Sequence, residues 1–98
     1  MKEGMILVSS WGYDQTNITF YEVIKATAKT VQVREIVSKI KSVPNAMSEK
    51  VLPDPGNYRG EVLRRKVQNY GSGNLIEISN HEWARPWDGK EKTATCYA

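Results

Sequence analysis

The residues best suited to recognition chemistry in this 98-residue chain lie between Ser9 and Asn17. Trp11 and Tyr13 carry large apolar surfaces on few rotatable bonds, as recognition surfaces often do. The polar side chains that follow can bond to nearby backbone and hold a loop in shape. The alternative is that Trp11 caps one end of a barrel and the polar residues only tie the turn. The predicted partner-binding residues are Trp11, Tyr13, Asp14, Gln15, Asn17 and Tyr21.

A second candidate region mixes cations with aromatic residues around the run Arg64-Arg65-Lys66. Single-stranded nucleic acid is bound by rings that stack on bases and cations that follow the backbone. Because neighbouring strand residues point to opposite faces, Arg64 and Lys66 share a face and Arg65 opposes them. A basic strand can also simply protect a sheet edge from pairing. The predicted nucleic-acid contacts are Arg34, Arg59, Arg64, Lys66 and Tyr70.

No pattern in the chain predicts a catalytic or metal site. His81 is the only histidine and Cys96 the only cysteine, so no pair of metal-ligating spacing exists. A Cys96–His81 nucleophile pair would have no evident third group to orient it. We therefore predict a non-enzymatic protein with no cofactor and no metal.

A second aromatic cluster lies near the end of the chain, where Trp83, Trp87 and Tyr97 surround Arg85 in sequence. Because the chain has one phenylalanine, we assign the tryptophans mainly to the core. Arg85 could stack on an indole face, either within the fold or against a ligand.

The net charge of +3 is concentrated in the middle third of the chain. Residues 34–66 carry eight basic and four acidic side chains, whereas the flanking thirds are close to neutral. Such a local positive field attracts polyanions or acidic protein surfaces. The alternative is a solvated face that keeps a small protein dissolved.

The hydrophobic pattern predicts an all-β fold. Residues 18–26 and 30–36 alternate apolar and polar side chains and are separated by a short turn, which predicts a hairpin. A short helix over Ile36–Lys41 competes with continuation of the second strand. The prolines and glycines of residues 43–60 predict a long irregular loop, and His81–Trp87 predicts a single helical turn.

These elements favour a small SH3-like antiparallel β-barrel of five to six strands, with the helical turn before the last strand. An OB-like barrel is the rival. The length and composition predict one domain over residues 1–98. No apolar run is long enough for a membrane helix, and Met-Lys-Glu-Gly does not begin a signal peptide. We therefore expect a cytoplasmic protein with no membrane partner.

Three segments together resemble a group of small uncharacterised proteins from phages, plasmids and bacterial mobile elements. They are Ser-Ser-Trp-Gly-Tyr-Asp-Gln-Thr-Asn at residues 9–17, Phe-Tyr-Glu-Val at 20–23 and Lys-Thr-Val-Gln-Val-Arg at 29–34. Trp-Asp-Gly at 87–89 and the terminal segment ending in Tyr97 are similar to the C-terminal part of that group. The resemblance implies a phage or mobile-element setting and a cytoplasmic, non-enzymatic protein, and it assigns no reaction.

Two functions follow from these features. The first is nucleic-acid binding through the basic residues, with Tyr13, Tyr21 or Tyr70 stacking on bases. The second is a protein-binding module that inhibits or redirects a host complex, such as a defence nuclease, with Trp11, Tyr13 and Tyr21 as anchors. The modest net charge weakens the first, but we favour it slightly. The sequence leaves the oligomeric state open.

Overall fold

The computed structural model describes residues 2–11, 17–45, 48–69, 73–79 and 82–95, which form one antiparallel sheet. None of these residues is helical, so no membrane-spanning helix occurs among them. The strands are β1 (Ile6–Trp11), β2 (Asn17–Ala26), β3 (Thr30–Asn45), β4 (Ser48–Asn69), β5 (Asn74–Ser79), β6 (Glu82–Pro86) and β7 (Lys92–Thr95).

The first six strands close into a ring. Each pairs with its neighbours in sequence, β6 returns to pair with β1, and β7 adds to the outer edge of β4. The prediction of a small, barrel-like, all-β fold is confirmed, with seven strands in the described ranges rather than five or six. An up-and-down ring also differs from the Greek-key order of an OB-fold, so the strand order argues against that alternative.

The predicted hairpin is confirmed as β2 and β3. Its turn is closed by the Thr27 N–H donating to the Thr30 carbonyl (2.8 Å) and by the Thr27 hydroxyl donating to the same carbonyl. Val31 and Val33 point into the ring and are buried, whereas Gln32 between them points outward. The alternation of apolar and polar residues in the sequence therefore corresponds to the inner and outer faces of the strand.

Two hydrophobic clusters stabilise the fold, one on each side of the sheet. The cluster inside the ring includes Leu7 and Ile76, both fully buried. The second lies on the outer face, where Phe20 packs against Ile36 and Val51. Trp87 covers this outer cluster, with its ring edge-on to Phe20 at a centroid distance of 6.0 Å. Trp87 is partly buried against this cluster and so contributes to the core only at its edge.

The prediction of an irregular loop over residues 43–60 is wrong, because β4 runs from Ser48 through this stretch. β4 contains two bulged stretches, Asp54–Asn57 and Arg59–Glu61. In each of them, several residues of β4 lie opposite a single residue of β3. Bulges accommodate prolines and glycines that a regular central strand excludes. Gly56 and Gly60 take the positive φ angles, 83° and 77°, that such bends require. The turn-forming residues therefore mark bends within a strand.

The predicted helical turn at His81–Trp87 is also wrong, since Glu82–Pro86 forms strand β6, and His81 lies outside the described residues. Neighbours on both sides impose the extended backbone: Ala84 pairs with Ser9 of β1 and with Ile76 of β5. The competing helix over Ile36–Lys41 is replaced by strand β3 for the same reason, because β4 pairs along it.

A small polar network lies at one end of the ring interior. One oxygen of the Glu82 carboxylate accepts hydrogen bonds from the Ser9 hydroxyl (2.5 Å) and the Tyr21 hydroxyl (2.8 Å). Burial and the adjacent carboxylate raise the pKa of Tyr21 well above its usual range. Tyr21 is only 4% exposed, so it is a core residue and does not present its ring to a partner.

We expect Tyr21→Phe to lower the free energy of unfolding by about 1 kcal/mol at neutral pH, through loss of the hydrogen bond to Glu82. The wild type should also lose stability as the pH rises above about 10, where Tyr21 ionises in the unfolded chain but not in the folded protein. Urea unfolding between about pH 9 and 11 measures both effects. Parallel stability curves for the wild type and Tyr21→Phe would contradict this assignment.

Candidate nucleic-acid interface

Three cations point outward beside the β2–β3 turn, from β2 and β4, the two strands that flank β3. Lys25 of β2 pairs with Gln32 of β3, which pairs with Arg64 of β4, so these residues form one row across the sheet. Lys66 lies two residues beyond Arg64 on the same face. The outward direction of Gln32 in this row is fixed, because its neighbours in β3, Val31 and Val33, point into the core.

The turn itself adds a fourth cation, Lys29. The backbone N–H of Val67 donates to the Lys29 carbonyl at 2.8 Å, which holds the turn against β4. Two shallow depressions adjoin there: one of about 220 Å³ between Lys25 and Arg64, and one of about 480 Å³ between Lys29 and Lys66. We refer to Lys25, Lys29, Arg64 and Lys66 as the basic face.

The side chains of the basic face are exposed and make no ion pair with any carboxylate in the part of the chain that the structure describes. The ion-paired lysines and arginine lie elsewhere. Lys39 pairs with Asp54, Lys41 with Glu91 and Arg59 with Glu35. The positive charge of the basic face is therefore not offset by adjacent protein groups.

Of the four cations predicted to contact nucleic acid, Arg64 and Lys66 belong to the basic face. Arg34 is half-buried; its Nε–H donates to the Gly60 carbonyl (2.9 Å), and its guanidinium lies 5.1 Å from the Tyr58 ring centroid. Arg59 is 3.4 Å from a carboxylate oxygen of Glu35. These two arginines hold the bulged part of β4 in place.

Glu22 completes the attachment of the bulged segment. Its two carboxylate oxygens accept from the Gly56 N–H (3.0 Å) and the Tyr58 hydroxyl (2.7 Å). The hydrogen bond to Glu22 raises the pKa of Tyr58 above its usual value. The hydrogen bond to Glu22 and the contact with Arg34 therefore fix the position of Tyr58 in the fold.

Arg65 lies on the opposite side of β4 from the basic face, as the alternation predicts. It is half-buried, and its Nη2 and Nε donate to the Ile78 carbonyl at 3.2 and 3.4 Å. It therefore fastens β4 to the end of β5, and only two residues of the three-residue basic run belong to the basic face.

The predicted partner-binding residues are only partly described. Trp11 is 42% exposed, and its indole N–H donates to the Thr19 hydroxyl at 3.1 Å, which orients the ring. Asn17 is half-buried opposite Trp11 on β2. Four predicted site residues lie outside the described residues: Tyr13, Asp14, Gln15 and Tyr70.

Lys25 and Lys29 are members of the basic face that sequence reasoning missed. Both were assigned to the first, electrically neutral third of the chain, far in sequence from Arg64 and Lys66. Strict alternation would place Lys25 on the same face as the buried Val23; the extra residue Ile24, at a bulge in β2, turns Lys25 outward. Only the pairing of β3 with β4 brings the two halves of the face together.

Across residues 2–11, 17–45, 48–69, 73–79 and 82–95, no three His, Cys, Asp or Glu side chains lie close enough together to hold a metal ion. The acidic groups of these ranges that form contacts serve as partners of nearby cations, hydroxyls and backbone N–H groups.

We expect Glu22→Ala to loosen the bulged segment. Loss of the acceptor for the Gly56 N–H should speed hydrogen exchange at that amide about five- to tenfold, the change that corresponds to about 1 kcal/mol. Exchange measured by NMR checks this, with Glu3→Ala as a charge-matched control that leaves Gly56 unchanged. Equal protection of Gly56 in the wild type and Glu22→Ala would contradict the attachment.

Comparison with known proteins adds no family assignment. No protein-family model, curated protein or solved structure matches this chain. The function is therefore argued from the arrangement of the side chains.

Proposed function

We propose that this chain is a non-enzymatic nucleic-acid-binding module that contacts phosphates through the basic face. The observation that carries the proposal is the gathering of four exposed cations, without a described carboxylate partner, from β2, β4 and the β2–β3 turn. The cytoplasmic, phage or mobile-element setting is proposed from the sequence resemblance alone.

The spacing of the basic face suits a phosphate backbone. Adjacent strands lie about 4.8 Å apart, so the row from Lys25 through Gln32 to Arg64 spans about 10 Å. Lysine and arginine at such spacing neutralise several phosphates, and release of the condensed counterions favours binding. Thr30 and Gln32, which lie among the cations, can donate further hydrogen bonds to phosphate oxygens.

The mode of binding follows from the residue types of the face. Its four members are all cations, and Tyr58 is already bound to Glu22 and lies against Arg34. Contacts to phosphates carry no sequence information by themselves. We therefore propose binding with little dependence on base sequence.

The test is a titration of labelled duplex DNA, single-stranded DNA and RNA at about 50 and 200 mM salt. Four phosphate contacts predict a log–log salt slope of about −3.6 for duplex DNA, which is roughly a 100-fold loss over this range. Arg64→Ala/Lys66→Ala should reduce the slope by about 2 and weaken binding most at low salt.

Lys39→Ala/Lys41→Ala is the matched control, because it removes the same charge from β3, outside the basic face. It should leave the slope nearly unchanged, and these exposed ion pairs add little to stability. No binding at about 50 mM salt, or equal losses in the two double variants, would sink the proposal.

The alternative is a protein-binding module that uses Trp11. The exposed, hydrogen-bonded indole favours it, because an oriented aromatic ring loses little entropy on binding. If nucleic acid does not bind, a host partner should be captured by the wild type and lost on Trp11→Ala. The thermal unfolding midpoint of Trp11→Ala should stay close to the wild-type value; a variant that keeps the partner would exclude the indole as an anchor.

A further inference from the structure

An open groove of about 460 Å³ lies on the outer face of the ring, and none of its described lining residues belongs to the basic face. The outer face of β1, β2 and β6 forms its floor, and β7 forms one wall. The described lining residues are Val8, Ser10, Ile18, Trp83, Arg85, Lys92 and Thr93. Its volume is within the range of small-molecule sites.

Strand register explains why these side chains converge. Ala84 points into the ring, so Trp83 and Arg85 on either side of it both point outward. Arg85 pairs with Val8, and Ser10 pairs with Ile18. The covering layer of β4 and β7 packs over Phe20 and its neighbours but leaves this part of the outer face open.

The groove combines an aromatic ring with positive charge. Val8 and Ile18 supply an apolar floor, and the half-buried indole of Trp83 supplies a flat surface. Arg85 is exposed and forms no ion pair within the described ranges, whereas Lys92 lies 2.9 Å from Asp88. No carboxylate is among the described lining residues, so the groove complements a planar group that carries negative charge.

We infer that this groove binds a nucleotide unit, with the base against Trp83 and the phosphate at Arg85. An arginine guanidinium recognises phosphate through paired hydrogen bonds. Aromatic side chains stack on any base because every base has a π-face. The Ser10 and Thr93 hydroxyls lie at the same groove and can bond to the sugar or the phosphate. The unit is either a free nucleotide or one nucleotide of a single strand.

The test is an NMR titration of the ¹⁵N-labelled protein with UMP up to about 10 mM. We expect the Trp83 indole N–H and the Arg85 and Ser10 amides to shift together. Arg85→Ala should weaken the apparent affinity at least fivefold, whereas the charge-matched Lys41→Ala should not. Uridine without phosphate, and inorganic phosphate without base, should each bind at least fivefold more weakly than UMP.

A five-nucleotide oligo-dT, tested in the Arg64→Ala/Lys66→Ala background, distinguishes the two sources of the ligand. If the oligonucleotide binds more tightly than UMP, the ligand is a strand, and if it binds more weakly, the ligand is a free nucleotide. In either case, Arg85→Ala must reduce the affinity for the oligonucleotide. The inference is overturned if UMP shifts none of the groove residues in the wild type, or if inorganic phosphate alone reproduces the UMP affinity. Because this site is separate from the basic face, it stands or fails independently of the proposed function.

Discussion

The hydrogen bonding of β4 is the constraint on which the rest of the structure depends. Its C-terminal part pairs with β3 and β5 and closes the ring, while its N-terminal part pairs with β3 and β7 and covers the outer cluster. A regular strand could not both close the ring and cover the outer cluster, so the bulges at Asp54–Asn57 and Arg59–Glu61 change its direction. Both hydrophobic clusters depend on this bend, because the two parts of β4 serve different clusters. The C-terminal part pairs with β5, which contributes Ile76 to the cluster inside the ring, and the N-terminal part contributes Val51 to the outer cluster.

The same bend separates the charges. Glu22 and Glu35 are beside the bulged segment, where they hold the segment itself and the side chain of Arg59. Arg34 adds a bond to the Gly60 carbonyl. The cations beyond the bend, toward the β2–β3 turn, have no described carboxylate partner. The positive charge of the basic face therefore remains because Glu22 and Glu35 contact the bulged segment instead of these cations.

Much of the fold was predictable because the alternation of apolar and polar residues along a strand is a local property of the sequence. The β2–β3 hairpin, the outward direction of Arg64 and Lys66, and the opposed Arg65 all follow from the two-residue period of a strand. The predictions of a loop over residues 43–60 and of a helical turn at His81–Trp87 were wrong. Proline and glycine are equally typical of a loop and of a bend within a strand. Pairing with neighbouring strands decides between them, and that pairing is nonlocal.

The sequence by itself determined an all-β chain, its first hairpin and a surplus of positive charge, because these depend on residue type and on spacing along a single strand. Only the tertiary structure decided which cations lie together. It joined Lys25 and Lys29 to Arg64 and Lys66, and it assigned Arg34 and Arg59 to the bulged segment. It also buried Tyr21 and left Trp83 and Arg85 at an open groove. The physical reason is that strand pairing brings residues more than thirty positions apart into contact, and no local pattern encodes the partner.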